Sequence, residues 1–472
     1  MAKIKLDPVT RVEGHLAIEV DVDTNNTVTA AHSTGNLFRG FENILVGRDP
    51  KDAIHITQRI CGVCPVSHAM ASVKAVEDAA GFTPSDQARI MRNLILGGNF
   101  IASHILHFYH LAALDYIQGP AMEPWTPHYN ADYRLTSTQN QAVVDNYLVA
   151  LEARRKAHEM GAIFAGKMPH VGTVLPGGIS TTPTNQSITD FQTYLDWIIN
   201  FIDNKYIPDV NTIANAYSDY FNIGVGNGNL LAYGVFDQDN TGTYKLLKRG
   251  KYNNGTITSL DTSQIKEDVM YSWYNNTDTG KHPANGTTTP DPDKPGAYTW
   301  LKAPRLSGQP YELGPLARMT VNGDYTNGIS VMDRHLARAE ETKKIAYAMK
   351  DWLLQLVPGV TPYTEITLPT NGVGVGLTEA PRGGLGHWIS INNGEISNYQ
   401  VITPTCWNVS PRDDNGTPGP VEQALTGTTL GNANEPVELL RIVHSYDPCT
   451  GCSVHVSSAD GERVGQFIVN PE

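Results

Sequence analysis

Cysteine is scarce in this chain, with five cysteines among 472 residues. So few cysteines exclude a scaffold held together by many disulfides. Long apolar runs are also missing, and no stretch of the sequence has the length and apolar character of a membrane-spanning helix. Basic residues are in the minority, 35 against 48 acidic ones, and this balance argues against nucleic acid as the main partner.

The rest of the composition is that of a globular protein, with 40% hydrophobic and 18% charged residues. A chain of this length exceeds the usual size of a single core, so two or more lobes are compatible with it. Residues 1–5 lead directly into a strand-like run and lack the apolar core of a signal peptide. We therefore expect synthesis in the cytoplasm, with any export to the periplasm or its membrane face depending on a signal-bearing partner.

Residue periodicity predicts the main secondary-structure elements. Alternating apolar residues predict β-structure over residues 3–35. Residues 86–117 are apolar on too many sides for a surface helix, so we place them in a buried bundle. Further helices are expected after Pro65 and at residues 137–165, 187–220, 333–356 and 435–446. Asn393-Gly394 lies between two strand-like runs and predicts a β-hairpin.

These elements predict an α+β fold, a mainly helical core bundle with small β-lobes built from both chain ends. We assign residues 1–455 to one interlocked unit. Its predicted parts are a β N-terminal part at 3–35, a helical core at about 60–220 and 333–356, a loop-rich segment at 225–330, and a C-terminal hairpin and cysteine-motif part at 380–455. The loop-rich segment has little periodicity and predicts short strands and functional loops.

Four of the five cysteines form two Cys-x-x-Cys pairs at opposite ends of the chain, and each pair is followed by a histidine. The residues are Cys61, Cys64 and His68 in the first motif and Cys449, Cys452 and His455 in the second. If the pairs meet, they form a tetrathiolate pocket, and thiolates select soft or borderline metals.

A four-cysteine set of this kind is most often a closed structural zinc site. Two features argue against that interpretation here. The pairs are separated by most of the chain, whereas zinc ribbons usually pair over tens of residues. Each histidine follows at helical spacing, and a closed site has no need of it, whereas an active site needs groups that orient ligands and move protons.

Three further residues suit such a site, although each is weak alone. Glu13 would accept protons if held near a thiolate, and a surface carboxylate is an equal alternative. Glu42 follows a glycine, and surface exposure is again an even alternative. Arg382 lies on a glycine-rich turn suited to anion binding, although an ordinary loop arginine is the commoner interpretation.

Taken together, the ordered motifs resemble the large, catalytic subunit of nickel–iron hydrogenases, from residue 4 to the C-terminus. The motifs are Arg-Val-Glu-Gly-His at 11–15, Phe-Arg-Gly-Phe-Glu at 38–42, the cysteine runs at 59–68 and 447–455, His-Phe-Tyr-His-Leu at 107–111, Lys-Ala-Pro-Arg at 302–305, Gly-Pro-Leu-Ala-Arg at 314–318 and Ala-Pro-Arg-Gly-Gly-Leu at 380–385. The cysteine runs are specific to that family and its relatives. The pattern resembles the periplasmic or membrane-associated uptake type, and is closest to a selenium-containing branch in which selenocysteine stands at the position of Cys449.

The resemblance implies a nickel–iron centre. Nickel would be held by all four thiolates, with Cys61 and Cys449 as terminal ligands and Cys64 and Cys452 bridging to iron. The iron would carry carbon monoxide and two cyanides, and Arg382 would donate to the cyanides. Residues expected to surround the metals and orient their ligands are His68, Ser103, Pro381, Pro404, Thr405 and Asp447.

The resemblance also implies a second metal site of magnesium type. Its ligands would be Glu42, the main-chain carbonyl of Val401 and His455. Because imidazole suits a hard ion poorly, iron or a similar divalent ion is an alternative.

The implied reaction is the reversible, heterolytic cleavage of dihydrogen into protons and electrons. Cys449 would take the proton and Glu13 would relay it outward. Arg382 is a rival base, although its high intrinsic pKa makes a neutral form costly. Because only Cys406 remains outside the two pairs, the iron–sulfur clusters that receive the electrons must belong to a small subunit.

Residues 456–472 resemble the tail that this family removes by specific proteolysis after nickel insertion. The resemblance thus implies a maturation protease and nickel-insertion factors as partners, and it allows a membrane electron-acceptor subunit. With the tail present, Cys449 and Cys452 are expected to lie away from Cys61 and Cys64. Alternatives remain a hydrogen sensor with slow turnover, a structural zinc protein, and a non-catalytic scaffold related to respiratory complex I.

Overall fold

A computed structural model describes residues 2–123, 125–126, 128 and 130–452, and of Cys452 it describes the backbone alone. The helices are α1 (Phe41–Leu45), α2 (Asp52–Thr57), α3 (Pro65–Ala79), α4 (Asp86–Leu106), α5 (Ser137–Ala165), α6 (Asn185–Phe201), α7 (Ile207–Ala216), α8 (Pro315–Asn322), α9 (Val331–Leu353), α10 (Pro404–Asn408), α11 (Pro420–Leu425) and α12 (Val437–Ser445). The strands are β1 (Ala2–Leu6), β2 (Leu16–Val22), β3 (Val28–Gly35), β4 (Val174–Leu175), β5 (Gly178–Ile179), β6 (Asn229–Ala232), β7 (Val235–Asp237), β8 (Lys245–Leu247), β9 (Gly250–Asn253), β10 (Thr256–Thr258), β11 (Ile265–Asp268), β12 (Ala303–Leu306), β13 (Gly372–Ala380), β14 (Gly383–Asn392) and β15 (Glu395–Ile402). The predictions for His455 and for the tail at 456–472 lie outside these residues.

The long apolar run after Asp86 forms α4 at the centre of a helical bundle. Ser85 begins the helix, and its hydroxyl accepts a hydrogen bond from the Ala88 amide. Helices α5 and α9 pack against α4. Gly97 permits the approach of α9, because a Cβ at this position would lie 2.6 Å from the sulfur of Met349. The predicted buried bundle is confirmed, although the helix changes to π-helical and 3-10 turns after residue 106.

Two antiparallel sheets, β1-β2-β3 and β13-β14-β15, are contributed by the two halves of the chain. The predicted hairpin is present, and its turn residues Asn393 and Gly394 have φ of 53° and 83°, as a type I′ turn requires. Strand β13 was not predicted. Its glycines face α3, where a Cβ on Gly374 or Gly376 would overlap the helix backbone.

The two chain ends are joined by direct contacts. The Val28 amide donates to the Thr428 carbonyl at 2.9 Å, and a parallel β-bridge pairs Glu13 with Cys449. Residues 225–330 form short strands and loops, as expected, but they also contain helix α8, which was not predicted. The α+β prediction is confirmed. No helix among the described residues has the length and apolarity needed to cross a bilayer.

Candidate metal centre

The first cysteine pair lies where a 3-10 turn passes into α3. Cys61 ends the turn Gln58–Ile60, and Cys64 is the N-cap of α3, which Pro65 begins. Proline suits this first helical position because its missing amide hydrogen would have no helical partner. The amides of Val63 and Cys64 donate to the Cys61 sulfur at 3.2 and 3.3 Å. The loop therefore supplies backbone donors to a buried thiol.

Helix α12 delivers the second pair and is held in place by buried cationic side chains. Arg441 donates to the Asp115 carbonyl at 2.8 Å, and His444 lies 2.6 Å from the Asp115 carboxylate. Arg338 donates to the Ser445 carbonyl at 2.9 Å. These contacts fix the end of α12 before the chain turns toward the first cysteine pair.

Three cysteines from opposite ends of the chain meet in one buried cradle. The sulfur atoms of Cys61 and Cys449 are 3.3 Å apart. Together with that of Cys64, all three sulfurs lie within 4.8 Å of one another. The expectation that Cys449 lies away from Cys61 and Cys64 while the tail is present is wrong, because the chain after α12 already places its sulfur beside theirs. The side chain of Cys452 lies outside the described part of the chain.

Glu13 borders the cradle directly. The Cys449 thiol donates to the Glu13 carboxylate at 3.0 Å, and the Gly451 amide donates to the same oxygen at 2.8 Å. Burial, reinforced by the neighbouring Cys61, raises the pKa of Glu13 above its ordinary value despite these donors. Gly14, at φ 84°, lets the two backbones approach, since a Cβ there would overlap Thr450 and Gly451.

Arg382 also borders the cradle, and its guanidinium is held by an ion pair. It donates to Asp447 at 2.8 Å and to the Ser103 hydroxyl at 3.4 Å, and it is 1% exposed. Burial alone would lower the pKa of Arg382, but Asp447 and the cradle cysteines hold it well above the usual range. Thr405 accepts the Cys449 amide at 3.0 Å, from α10, which begins at Pro404.

A buried network behind Arg382 was missed by the sequence reasoning. Arg318 donates to Glu341 at 2.6 and 2.7 Å and to Glu379 at 2.8 Å. It also donates to the carbonyls of Ala380 and Pro381, at 3.0 and 2.7 Å. The guanidinium thus fixes the turn that carries Arg382. The Gly-Pro-Leu-Ala-Arg run at 314–318 was recognised as a family-like motif, but the sequence alone did not indicate what its arginine, Arg318, contacts.

The His68 ring is held by a buried chain of polar side chains. Its Nδ1 lies 3.1 Å from Nε2 of His387, and the Nδ1 of His387 lies 2.8 Å from the Tyr399 hydroxyl. The Tyr399 hydroxyl donates to Ser72 at 3.0 Å. Burial lowers the pKa of His68 to about 4, so its ring is neutral at physiological pH. His387 and Tyr399 were not predicted as parts of the site.

Glu42 borders a separate small cavity of about 60 Å³. The Val401 amide donates to one Glu42 oxygen at 2.9 Å. The resemblance implies the Val401 carbonyl as a metal ligand, and this remains a prediction. Glu267 and Lys302 line the same cavity, with 3.6 Å between their charged groups, and neither was predicted. Burial raises the pKa of Glu267 to about 7.

Cys406 also lines this cavity and is 7% exposed, as expected for a buried small side chain. Burial raises the pKa of its thiol to about 12, which keeps the thiol protonated. A protonated thiol is a poor metal ligand.

The donors of the two sites fit different metals. Buried thiols in the cradle suit soft or borderline ions such as nickel and iron. The carboxylates around the Glu42 cavity suit a hard divalent ion, which prefers oxygen ligands.

An α+β fold that brings both cysteine motifs to one buried cradle defines a large-subunit hydrogenase architecture. Residues 39–122, 118–328 and 322–455 match the family model described as nickel-dependent hydrogenase, and residues 3–34 match one described as HoxL-like. The chain belongs to the nickel-dependent hydrogenases.

Similar proteins agree over nearly the whole chain. The periplasmic NiFeSe hydrogenase large subunit of Desulfomicrobium baculatum is 43% identical over 503 residues, covering 99% of this chain and 97% of the relative. The uptake hydrogenase large subunit of Rhizobium leguminosarum bv. viciae is 34% identical over 579 residues, covering 99% and 97%. A solved reduced, active NiFeSe hydrogenase from Desulfomicrobium baculatum superposes with a TM-score of 0.94 at 43% identity, covering 96% of this chain and 100% of that one.

Proposed function

We propose that this chain is the catalytic subunit of a hydrogenase that splits dihydrogen reversibly into protons and electrons. One observation carries the proposal: three buried cysteines from both chain ends converge within 4.8 Å, and one of them donates to the half-buried carboxylate of Glu13. A structural zinc site has no use for that carboxylate, whereas heterolytic cleavage needs a proton acceptor beside the metal.

Cys61, Cys64, Cys449 and Cys452 would hold the nickel and iron. Arg382 would donate to cyanide ligands on the iron, which would also carry carbon monoxide. When bound, the metal pair supplies the electron-poor centre that polarises dihydrogen. The residues of this chain do the rest, by excluding water and by moving protons.

Cys449 would accept the proton released from dihydrogen and pass it to Glu13. The 3.0 Å contact between the Cys449 sulfur and the Glu13 carboxylate is already a hydrogen bond in which the thiol donates. The raised pKa of Glu13 brings its proton affinity closer to that of a thiol, which makes exchange between them cheaper. Arg382 is the poorer base because its neighbours stabilise its charged form.

The electrons would leave to iron–sulfur clusters of a small subunit. The remaining cysteine, Cys406, is buried and protonated and offers no second cluster site. We place the heterodimer at the periplasm or the periplasmic face of the membrane, because the Desulfomicrobium relative is a periplasmic hydrogenase. A signal-bearing small subunit, a maturation protease, nickel-insertion factors and a membrane acceptor subunit complete the proposed partners.

We also propose that residues 1–455 act as one unit and that 456–472 are removed on maturation. Glu42, the Val401 carbonyl and His455 would bind a magnesium-type ion.

The decisive experiment is elemental analysis with infrared spectroscopy of the co-expressed, matured heterodimer. Nickel is expected together with iron in excess of it, because the small subunit's clusters also contain iron, and carbonyl and cyanide stretches are expected in the infrared spectrum. Zinc alone would overturn the mechanism. Hydrogen uptake with an artificial electron acceptor then separates a working enzyme from a sensor, because a sensor turns over slowly.

A further inference from the structure

The loop at residues 286–289 contacts Glu42. None of the hydrogenase-like motifs includes this loop. The Thr288 hydroxyl donates to one oxygen of the Glu42 carboxylate. The other oxygen accepts the Val401 amide at 2.9 Å. Each carboxylate oxygen therefore accepts one donor from the described residues, and since such an oxygen can accept more than one, the carboxylate is oriented and can still bind a metal ion.

A buried cation lies behind Thr288. Lys302, 7% exposed, donates to the Thr288 hydroxyl at 3.3 Å and to the Thr287 carbonyl at 3.0 Å. The ammonium, the Thr288 hydroxyl and the Glu42 carboxylate thus form a chain in which each group donates to the next. A hydroxyl that already accepts from a cation is a stronger donor, because hydrogen bonds in a chain polarise one another.

The loop is anchored independently of Glu42. Asn43 donates to the Thr288 carbonyl at 3.2 Å, and Asn398 donates to the Gly286 carbonyl at 3.1 Å. Gly286 approaches Gln400 so closely that a Cβ would lie 2.8 Å from its side-chain oxygen. The surrounding fold therefore sets the position of the hydroxyl, and Glu42 adapts to it.

Oxygen donors line the cavity. Glu42 and Glu267 place two carboxyl groups beside the ammonium of Lys302 among the described lining residues. With oxygen donors on the carboxylates, such a cavity suits a hard divalent ion such as Mg²⁺.

We propose that Thr288 is a positioning residue for the divalent ion expected at Glu42, holding the carboxylate in its metal-binding orientation through the chain from Lys302. This inference rests on the proposed magnesium-type site and assigns a residue outside the implied ligand set. Thr288 acts through Glu42 and transfers no proton.

The test is divalent-ion binding by the matured heterodimer, measured with Mn²⁺ as a paramagnetic probe after chelator treatment. Thr288→Val keeps the side-chain shape but removes the hydroxyl, and it is expected to weaken Mn²⁺ binding by about 10–100-fold, as loss of a residue that orients a ligand does. Thr288→Ser keeps the hydroxyl and is expected to bind within a few-fold of the unchanged protein, roughly the spread of such context effects.

Thr289→Val is the matched control, because the Thr289 hydroxyl donates to Asp278 at 3.3 Å rather than to Glu42. It is expected to bind Mn²⁺ normally, and a loss equal to that of Thr288→Val would mean that loop disturbance explains both. Normal binding by Thr288→Val beside lost binding by Glu42→Gln would overturn the role of Thr288. Normal binding by Glu42→Gln would instead remove the metal site itself from Glu42.

Discussion

Glu13 and Arg382 both border the cysteine cradle, but their surroundings affect the protonation of the two side chains in different ways. Glu13 accepts from the Cys449 thiol and from the Gly451 amide, and burial raises its pKa. Arg382 is tied to Asp447 at 2.8 Å, and its charged form is stabilised. Glu13 can therefore change its protonation state, whereas Arg382 stays a cation.

The difference follows from what each group contacts. The loss of water around the Glu13 carboxylate outweighs the opposing effect of Arg382, so Glu13 binds its proton more tightly and can exchange protons with a neighbouring thiol. A buried guanidinium beside a carboxylate keeps its charge and offers fixed donors to an anion. We therefore assign proton transfer to Glu13 and ligand positioning to Arg382, and the following changes test that division in order of expected effect.

Cys449→Ser should abolish hydrogen uptake. A serine hydroxyl remains protonated at neutral pH and is a poor ligand for soft metals, so both the metal contact and the base are lost. Uptake with an artificial acceptor is expected to fall below detection, while circular dichroism of the helical core stays unchanged. Turnover like that of the unchanged enzyme would refute the assignment of Cys449 as base.

Glu13→Gln should block proton exit without emptying the cradle. Glutamine can still accept the Gly451 amide, which lies 2.8 Å from the carboxylate, but it cannot carry a proton. Hydrogen uptake is expected to fall by about 10²–10⁴-fold, the usual size of a general acid–base contribution. Nickel content serves as the control and should not change. Full activity would mean that protons leave by another route.

Arg382→Lys should cost less than the loss of Glu13. A single ammonium keeps the charge but cannot reproduce the fork that contacts Asp447 and Ser103. We expect uptake to fall by about 10–100-fold, as for other residues that orient a metal site. The infrared bands of the cyanides should shift as their donor changes. A loss larger than that of Glu13→Gln would favour Arg382 as the base.

Glu422 provides a comparison for Glu13 away from the cysteines. It accepts from the Ser33 amide at 3.0 Å and the Tyr298 hydroxyl at 2.8 Å, and burial raises its pKa to about 7. Between the unfolded and folded pKa values the native state holds more protons than the unfolded state, so stability falls as pH rises through this window. The decrease is about 3 kcal/mol between pH 4 and pH 8.

Glu422→Gln should remove this component of the pH dependence and leave hydrogen uptake unchanged. Chemical denaturation at several pH values measures the free energy of unfolding and hence its dependence on pH. A stability profile that keeps the same slope in the variant would show that another group titrates in this range.

Part of this structure could be predicted from the sequence because local patterns carry it. The α4 run is apolar on too many sides for a surface helix. The two Cys-x-x-Cys motifs indicate a shared site by their composition. Strand β13 could not be predicted in this way. Its alternating glycines are required because the strand packs closely on the backbone of α3, and this contact exists only in the folded chain. The pattern of apolar residues alone does not show which strand packs that closely.

Buried charges were the larger omission. Arg318 and Glu341 are both fully buried, yet in the sequence such residues are typical of a solvated surface. Their burial depends on partners distant in the chain, which no local pattern reveals. Thr288 was missed for the same reason, since it lies in a loop without periodicity and meets Glu42 only in the folded chain.

The most direct test of the shared cradle is anomalous diffraction from crystals of the matured heterodimer, recorded on both sides of the nickel absorption edge. The account predicts a nickel peak bonded by sulfur from Cys61, Cys64 and Cys449, with iron beside it. A peak at the zinc edge alone, or cysteine sulfurs too far apart to bind one ion, would contradict it.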